Sequence, residues 1–90
     1  AVNREAHTVT VGGQPVNLSP KEYDLLLFLI KHYGKVLSRE YILNAVWGYD
    51  YLGDLRTVDT HIKKLRAKLG DAGQSIVTVI RSGYKFEWEA

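Results

Sequence analysis

Residues 56–69 have the sequence RTVDTHIKKLRAKL, and Gly70 follows them. Four apolar residues in this stretch are spaced at intervals of four, three and four: Val58, Ile62, Leu65 and Leu69. This spacing places side chains on one face of an α-helix. At about 100° per residue, the opposite face carries mostly polar side chains: Arg56, Thr60, Lys63, Lys64 and Ala67. The stretch therefore predicts a helix with a buried edge and a basic outer face.

A first helix is predicted from a strong start signal upstream. Ser19 is suited to cap a helix with Pro20 at its first position, and Glu22 is placed to complete a capping box. A largely apolar run follows, and Gly34 supplies the stop. A helix this apolar is expected to lie at the centre of the domain.

A second helix is predicted between Ser38, which caps it, and Gly48, which ends it. One side of this helix is lined by apolar residues: Ile42, Leu43, Val46 and Trp47. A short extended link at residues 36–37 precedes the helix. Residues 49–55 contain glycine and aspartate turn signals, so we expect them to form a loop.

Short strands are predicted at both ends of the chain. Residues 7–11 alternate, Gly12 and Gly13 turn the chain, and residues 14–18 return. Residues 76–80 are rich in β-branched side chains, and a turn at residues 81–83 leads to three alternating aromatic residues: Tyr84, Phe86 and Trp88. The predicted order is a hairpin, three helices and a hairpin, which is an α+β fold.

The composition limits the class of protein. Ninety residues suit one domain, and a hydrophobic fraction of 46% argues against disorder. No signal peptide and no apolar run of roughly 20 residues is present, so we expect no membrane association. The absence of cysteine excludes disulfides and thiolate zinc sites and fits a cytoplasmic location. Because methionine is also absent, we expect a fragment or a processed chain.

The charge is distributed unevenly. Residues 1–55 carry five Lys and Arg against six acidic residues, whereas residues 56–90 carry seven against four. A basic half on a neutral body suits a polyanionic partner such as nucleic acid. A solvated helix face gives the same charge pattern.

Catalytic and cofactor signals are missing from the sequence. His7, His32 and His61 lie far apart, without metal-ligand spacing. No glycine-rich phosphate loop follows a predicted strand, and there is no nucleophile elbow. We therefore expect no enzyme activity, no cofactor and no metal site.

The second and third helices fit a helix-turn-helix, in which the second helix of the pair enters the major groove of DNA. The C-terminal hairpin is then placed to act as a wing that reaches the minor groove. A helix about 10–12 Å wide fits a major groove about 12 Å wide. Lys63, Lys64 and Arg66 supply hydrogen-bond donors, and Thr60 supplies a hydroxyl and a methyl group.

Four motifs in this order resemble the OmpR/PhoB family of response regulators. They lie at the first helix, at the end of the second helix, along the third helix and in the wing: residues 18–26, 46–48, 56–69 and 83–86. The resemblance extends over about residues 6–88. It implies a winged helix-turn-helix with N-terminal strands, a three-helix core and a C-terminal hairpin wing, spanning residues 1–90.

The resemblance also implies a function. Members of this family bind direct-repeat DNA sites as head-to-tail dimers and recruit or obstruct RNA polymerase. An N-terminal receiver domain, phosphorylated on aspartate under the indirect control of a sensor histidine kinase, regulates them. The receiver domain is expected to be absent from this chain, because 90 residues barely hold the effector domain.

Roles for individual residues follow from the same resemblance. Phosphate contacts are implied for Arg56, Thr57 and His61, and major-groove contacts for Thr60, Lys63, Lys64 and Arg66. In the wing, Lys85 is implied to approach the minor groove, and Arg81 is a candidate at the turn. The loop at residues 48–55 is implied to face RNA polymerase, and its candidate contact residues are Trp47, Tyr49, Asp50, Tyr51 and Asp54.

Two residues depart from the family pattern. Thr60 stands where valine is usual, which is expected to change the base preference at that point. Arg81 stands where the wing turn usually has glycine, so the contacts of the wing are expected to differ from those of the family.

Several residues keep a second interpretation. The lysines and arginine of the third helix also suit a merely solvated face, and His61 suits a phosphate contact or a buried hydrogen bond. Asp59 is better suited to orient an arginine or cap the helix than to contact a base. Trp47 suits packing or a partner contact. The aromatic residues of the wing suit packing on the core or stacking on single strands.

Two other functions compete for the whole domain. A winged-helix module that docks on proteins would suit the modest net charge and the aromatic loop at Tyr49 and Tyr51. The basic outer face of the third helix argues against it, because a protein-docking module does not need that face. RNA binding is less favoured, because side chains do not readily enter the deep major groove of A-form RNA.

Overall fold

The computed structural model describes residues 2–3 and 8–87, with side chains from residue 9 onward. The first helix, α1, spans Pro20–Lys31. Its start is the predicted capping box: the Ser19 hydroxyl accepts from the Glu22 amide at 3.3 Å, and the Ser19 amide donates to Glu22 Oε1 at 2.8 Å. The helix ends at Lys31, before Gly34, and Gly34 lies in the turn that follows with a φ of +77°.

The second helix differs from the prediction in its last turn. The α-helical part, α2, spans only Arg39–Ile42, and a π-helical turn spans Leu43–Trp47. Ser38 caps α2 as predicted, by accepting from the Tyr41 amide at 3.0 Å. The Gly48 amide closes the wide turn on the carbonyls of Leu43 and Asn44 at 3.2 and 3.1 Å. The wider turn buries Ile42 and Leu43 but leaves Val46 and Trp47 only half-buried.

The third helix, α3, spans Arg56–Leu69 and ends at Gly70, as predicted. Its predicted apolar edge is buried in full: Val58, Ile62, Leu65 and Leu69. This edge packs on Leu25 and Leu29 of α1 and Ile42 of α2 in one hydrophobic core. Burial of that edge fixes which face of α3 points outward.

The N-terminal sheet contains one strand that was not predicted. Strands β1 (Val2–Asn3), β2 (Thr8–Val11) and β3 (Gln14–Val16) form an antiparallel sheet in that order. Gly12 and Gly13 both have positive φ, which is typical of a tight hairpin turn. Strand β3 ends at Val16, two residues earlier than predicted, and predicted strand residue His7 lies outside the described residues.

The C-terminal wing consists of β4 (Ile76–Val79) and β5 (Gly83–Phe86), paired antiparallel after a 3₁₀ segment at Gly70–Ser75. Leu37, in the predicted extended link, bridges to Tyr84 and so ties the wing to the start of the helix-turn-helix. Tyr84 and Phe86 are buried beneath the wing. The packing interpretation of these aromatic residues is therefore confirmed, while Trp88 lies outside the described residues.

Candidate nucleic-acid interface

The outer face of α3 is solvent-exposed as predicted. All five residues placed opposite the buried edge are exposed: Arg56, Thr60, Lys63, Lys64 and Ala67. The four buried apolar residues on the other side fix the orientation of this face by packing. A rigid helix thus presents three cationic side chains and one hydroxyl to solvent.

Arg66 does not belong to this outer face. Its Nε and Nη2 donate to the Ile76 carbonyl at 3.0 and 2.7 Å, and Nη2 also donates to Thr78 Oγ1 at 2.7 Å. The guanidinium lies 5.7 Å from the centre of the Tyr84 ring. The placement of Arg66 beside Lys63 and Lys64 is therefore corrected. The Arg66 side chain turns toward strand β4 and away from the side that faces the groove. It does so because the carbonyl and hydroxyl oxygens of β4 accept hydrogen bonds from the guanidinium.

Asp59 orients an arginine, as one interpretation of the sequence predicted. Its Oδ2 pairs with Arg39 at 3.0 Å, and its Oδ1 accepts from the Tyr84 hydroxyl at 2.6 Å. Burial, and then the hydrogen bond to Asp59, raise the pKa of Tyr84 to about 12. Tyr84 therefore remains a hydrogen-bond donor at any physiological pH. Arg39 was missed in the sequence, because nothing local marks its pairing with a residue on another helix.

His61 and Trp47 pack against each other beside the start of α3. The two ring centres are 4.9 Å apart in an edge-on arrangement. His61 Nδ1 lies 2.9 Å from the Thr57 carbonyl oxygen. The half-buried His61 thus forms a hydrogen bond, which was one of its two interpretations from the sequence, while its phosphate contact stays a prediction. Trp47 packs at the helix end as expected, with the Lys21 ammonium 5.9 Å from its ring centre.

The loop before α3 exposes apolar side chains and caps the helix. Tyr49 and Leu52 are 87% and 100% exposed. Asp54 accepts from the Arg56 amide at 2.9 Å, and the Tyr51 hydroxyl lies 3.4 Å from Thr57 Oγ1. Asp54 and Tyr51 therefore help to fix the start of α3, in addition to the partner contacts that were predicted for them and for Asp50.

The tip of the wing carries Arg81, as predicted, beside an exposed apolar residue that was not predicted. Arg81 has a φ of +67°, and it is the only non-glycine residue with positive φ in the described part of the chain. Ile80, which was not predicted as a site residue, is 82% exposed at this tip. Lys85 lies farther down the wing, half-buried, and pairs with Glu87 at 2.7 Å. Arg81 and Ile80, rather than Lys85, thus form the outermost part of the wing.

An ion pair between α3 and α1 supports α3 on the side away from its outer face. Lys68 contacts Glu22 of α1, which is 3% exposed. Burial acts to raise the pKa of Glu22, but hydrogen bonds from Lys68 and from the Ser19 backbone outweigh it, so the net pKa lies below the ordinary value. Lys68 is therefore engaged with the core of the domain and is not part of the outer basic face.

Neither a metal cluster nor a membrane span is found in the described residues. Within residues 9–87, no three His, Asp or Glu side chains converge in a way that would hold a metal ion. In the same part of the chain, no helix has the length and apolar character needed to cross a bilayer.

Known proteins are similar to this chain over nearly its whole length. The family described as "Transcriptional regulatory protein, C terminal" matches residues 13–86. The chain is 53% identical over 91 residues to the transcriptional regulatory protein ResD of Bacillus subtilis (strain 168). That match covers 97% of this chain but 38% of ResD, so the chain spans well under two thirds of this relative.

Solved structures agree with the sequence match. The DNA-binding domain of Bacillus subtilis CssR has a TM-score of 0.87 at 39% identity, with 96% of this chain and 97% of that chain covered. The DNA-binding domain of Klebsiella pneumoniae RstA, solved in complex with the RstA box, has a TM-score of 0.83 at 35% identity, with 96% and 88% covered. The chain therefore belongs to the family of transcriptional regulatory protein C-terminal domains, with the winged helix-turn-helix architecture of response-regulator effectors.

Proposed function

We propose that this domain binds double-stranded DNA in a sequence-specific manner and regulates transcription as the output domain of a two-component response regulator. The observation that carries the proposal is the exposed basic face of α3, which is anchored by a fully buried opposite edge. A helix of this kind, followed by a β-hairpin wing, suits insertion into a major groove. The RstA domain, whose structure contains the RstA box, supports this use of the fold.

Individual residues take separate roles in this proposal. Thr60, Lys63 and Lys64 contact base edges, and Arg56, Thr57 and His61 contact phosphates. The wing approaches the minor groove with Arg81 at its tip and Lys85 behind it. Phosphate contacts position a protein on DNA without selecting a sequence, whereas contacts with base edges select it.

Partners beyond DNA follow from the same proposal. The protein binds direct-repeat half-sites as a pair, responds to a receiver domain phosphorylated through a sensor kinase, and acts in the cytoplasm, where the chromosome lies. Its exposed loop, residues 48–55, contacts RNA polymerase. The exposure of Tyr49 and Leu52 supports a protein contact at this loop. The same exposure is what favours the second candidate function, a protein-docking module that does not bind DNA.

The test is selection of duplexes from a randomised pool, followed by affinity measurement across a salt series. DNA binding through several phosphates predicts an affinity that falls steeply with salt, and tandem binding predicts a recovered direct repeat with a period of about 10 bp. Lys31→Ala is the control for Lys64→Ala on α3, because Lys31 is also an exposed lysine but lies on α1. If the folded domain selects no sequence and its binding does not respond to salt, the protein-docking function replaces the proposal.

A further inference from the structure

Polar contacts join the wing to α3 at two residues of the helix, Asp59 and Arg66. At the first, the Asp59 carboxylate of α3 receives the Tyr84 hydroxyl of β5 at 2.6 Å and pairs with Arg39 of α2 at 3.0 Å. One carboxylate thus connects three elements, because each of its oxygens has a different partner.

The second point of attachment lies two helical turns farther along α3. Here Arg66 donates to the Ile76 carbonyl through Nε and Nη2, and to Thr78 Oγ1 through Nη2. Its guanidinium also lies over the Tyr84 ring, 5.7 Å from the ring centre. Arg66 follows Asp59 by seven positions, a rise of roughly 10 Å along the helix axis. Strand β5 is held near one end of this interval and β4 near the other.

Two attachments separated by this distance fix an angle as well as a position. The two contacts add to the packing of the wing on the core and to its bridge with Leu37, and because they involve different strands they resist rotation of the wing on α3. The angle matters for a protein that inserts α3 into the major groove while its wing reaches the adjacent minor groove. The spacing between the two grooves belongs to the DNA, so a wing already held at the matching angle binds without the cost of being ordered.

We infer that Asp59 and the Tyr84 hydroxyl are positioning residues, which hold the wing at the angle where it and α3 contact DNA together. This inference rests on the proposed DNA binding. It gives Asp59 and Tyr84 a role in that binding, although neither residue is proposed to contact DNA. Packing alone already holds the Tyr84 ring, which is buried and paired through its backbone with Leu37. Burial of the ring therefore does not need the hydroxyl, whose hydrogen bond to Asp59 acts instead on the angle of the wing.

The test compares Tyr84→Phe with the unchanged domain on two duplexes that carry the half-site recovered by selection. One duplex ends at the last base pair that the selection specifies, and the other continues about 10 bp beyond it on both sides, which supplies the flanking minor groove. The control is Tyr41→Phe, because the Tyr41 ring packs on Phe28 and His32 of α1, away from the wing.

On the longer duplex, we expect Tyr84→Phe to weaken binding by up to roughly tenfold, because the loss of alignment costs no more than the one hydrogen bond that maintains it. On the shorter duplex, where the wing has little to contact, the same variant should bind as the unchanged domain does. Tyr41→Phe should match the unchanged domain on both. Residual dipolar couplings of the free variant should show the wing rotated against α3, with the internal geometry of each preserved.

Equal weakening on both duplexes would overturn the inference, since the hydroxyl would then act in general stability or contact the selected sequence itself. Unchanged binding on both would overturn it as well, and so would an unrotated wing. If the unchanged domain binds neither duplex, the proposed DNA binding fails, and the positioning role fails with it. The two failures are distinguishable, because a failure of the proposed DNA binding is visible with the unchanged domain alone, whereas a failure of the positioning role is visible only with Tyr84→Phe.

Discussion

Replacing Gly83 with alanine should detach the wing from the helix-turn-helix. A Cβ atom at this position would lie 1.9 Å from the Leu37 carbonyl oxygen and 2.8 Å from its carbon, so the two backbones must separate. The pair is held by two hydrogen bonds, from the Leu37 amide to the Tyr84 carbonyl at 2.8 Å and from the Tyr84 amide to the Leu37 carbonyl at 3.0 Å. Both bonds are expected to weaken or break in Gly83→Ala.

The size of the effect follows from these contacts. Loss of two backbone hydrogen bonds costs about 0.5–1.5 kcal/mol each. The φ of +135° at Gly83 adds about 1–3 kcal/mol when the residue carries a Cβ atom. We therefore expect Gly83→Ala to lower the free energy of unfolding by about 4 kcal/mol. For a domain of this size, that loss lowers Tm by about 15–30 °C.

Thermal and urea unfolding followed by circular dichroism will measure this loss. The matched control is Gly12→Ala, because Gly12 also has a positive φ, +56°, but an added Cβ atom there meets nothing within 4 Å. Gly12→Ala should cost only about 1–2 kcal/mol, from the left-handed conformation alone. If the two variants lose the same stability, the close approach of Leu37 to Gly83 does not exist as described.

Three further predictions concern the DNA-binding face, the buried ion pair and the wing turn. Lys64→Ala should weaken binding to a selected duplex by about 1–3 kcal/mol and relax its sequence preference; uniform weakening on every sequence, measured by competition, would instead make Lys64 a phosphate contact. Because the pKa of Glu22 is lowered in the folded state, its stabilising effect is complete above its ordinary value of 4.5 and is lost as the pH falls below it. Glu22→Gln should therefore be less stable than the unchanged domain at pH 7, and the difference should shrink in acid; a gap in urea midpoints that is constant with pH would contradict this. Arg81→Gly should raise Tm slightly, because it removes about 1 kcal/mol of left-handed strain, whereas a lower Tm would show that the arginine side chain stabilises the wing.

The elements were predictable where one local signal was strong. The capping box at Ser19 and Glu22 fixed the start of α1, and the four-three-four spacing of apolar residues fixed both the extent and the orientation of α3. The outer face of α3 was predictable for the same reason, because burial of one edge determines what lies opposite. The family motifs added the functional interpretation that spacing alone could not supply.

The features that escaped prediction depend on contacts between distant residues. The Ile76 carbonyl and the Thr78 hydroxyl of β4 set the direction of the Arg66 side chain. Helical periodicity describes one helix only and does not include contacts with a strand. The π-helical turn that ends at Trp47 has no signature in the order of its residues. Strand β1, only two residues long, is too short for an alternating pattern to mark it. Tertiary packing decides each of these.

The bridge between Leu37 and Tyr84 also governs the order in which the chain folds. It closes a stretch that contains α2, α3 and β4, and closing a loop of this length costs about 3 kcal/mol of conformational entropy. Each helix can begin to form from local contacts, so we expect the wing to dock after the helices have formed. Each of the two residues donates its amide to the other's carbonyl. Once each exchange rate is corrected for the intrinsic rate of its residue, the two amide protons should therefore show the same protection, which reports the fraction of time that the wing spends away from the body of the domain.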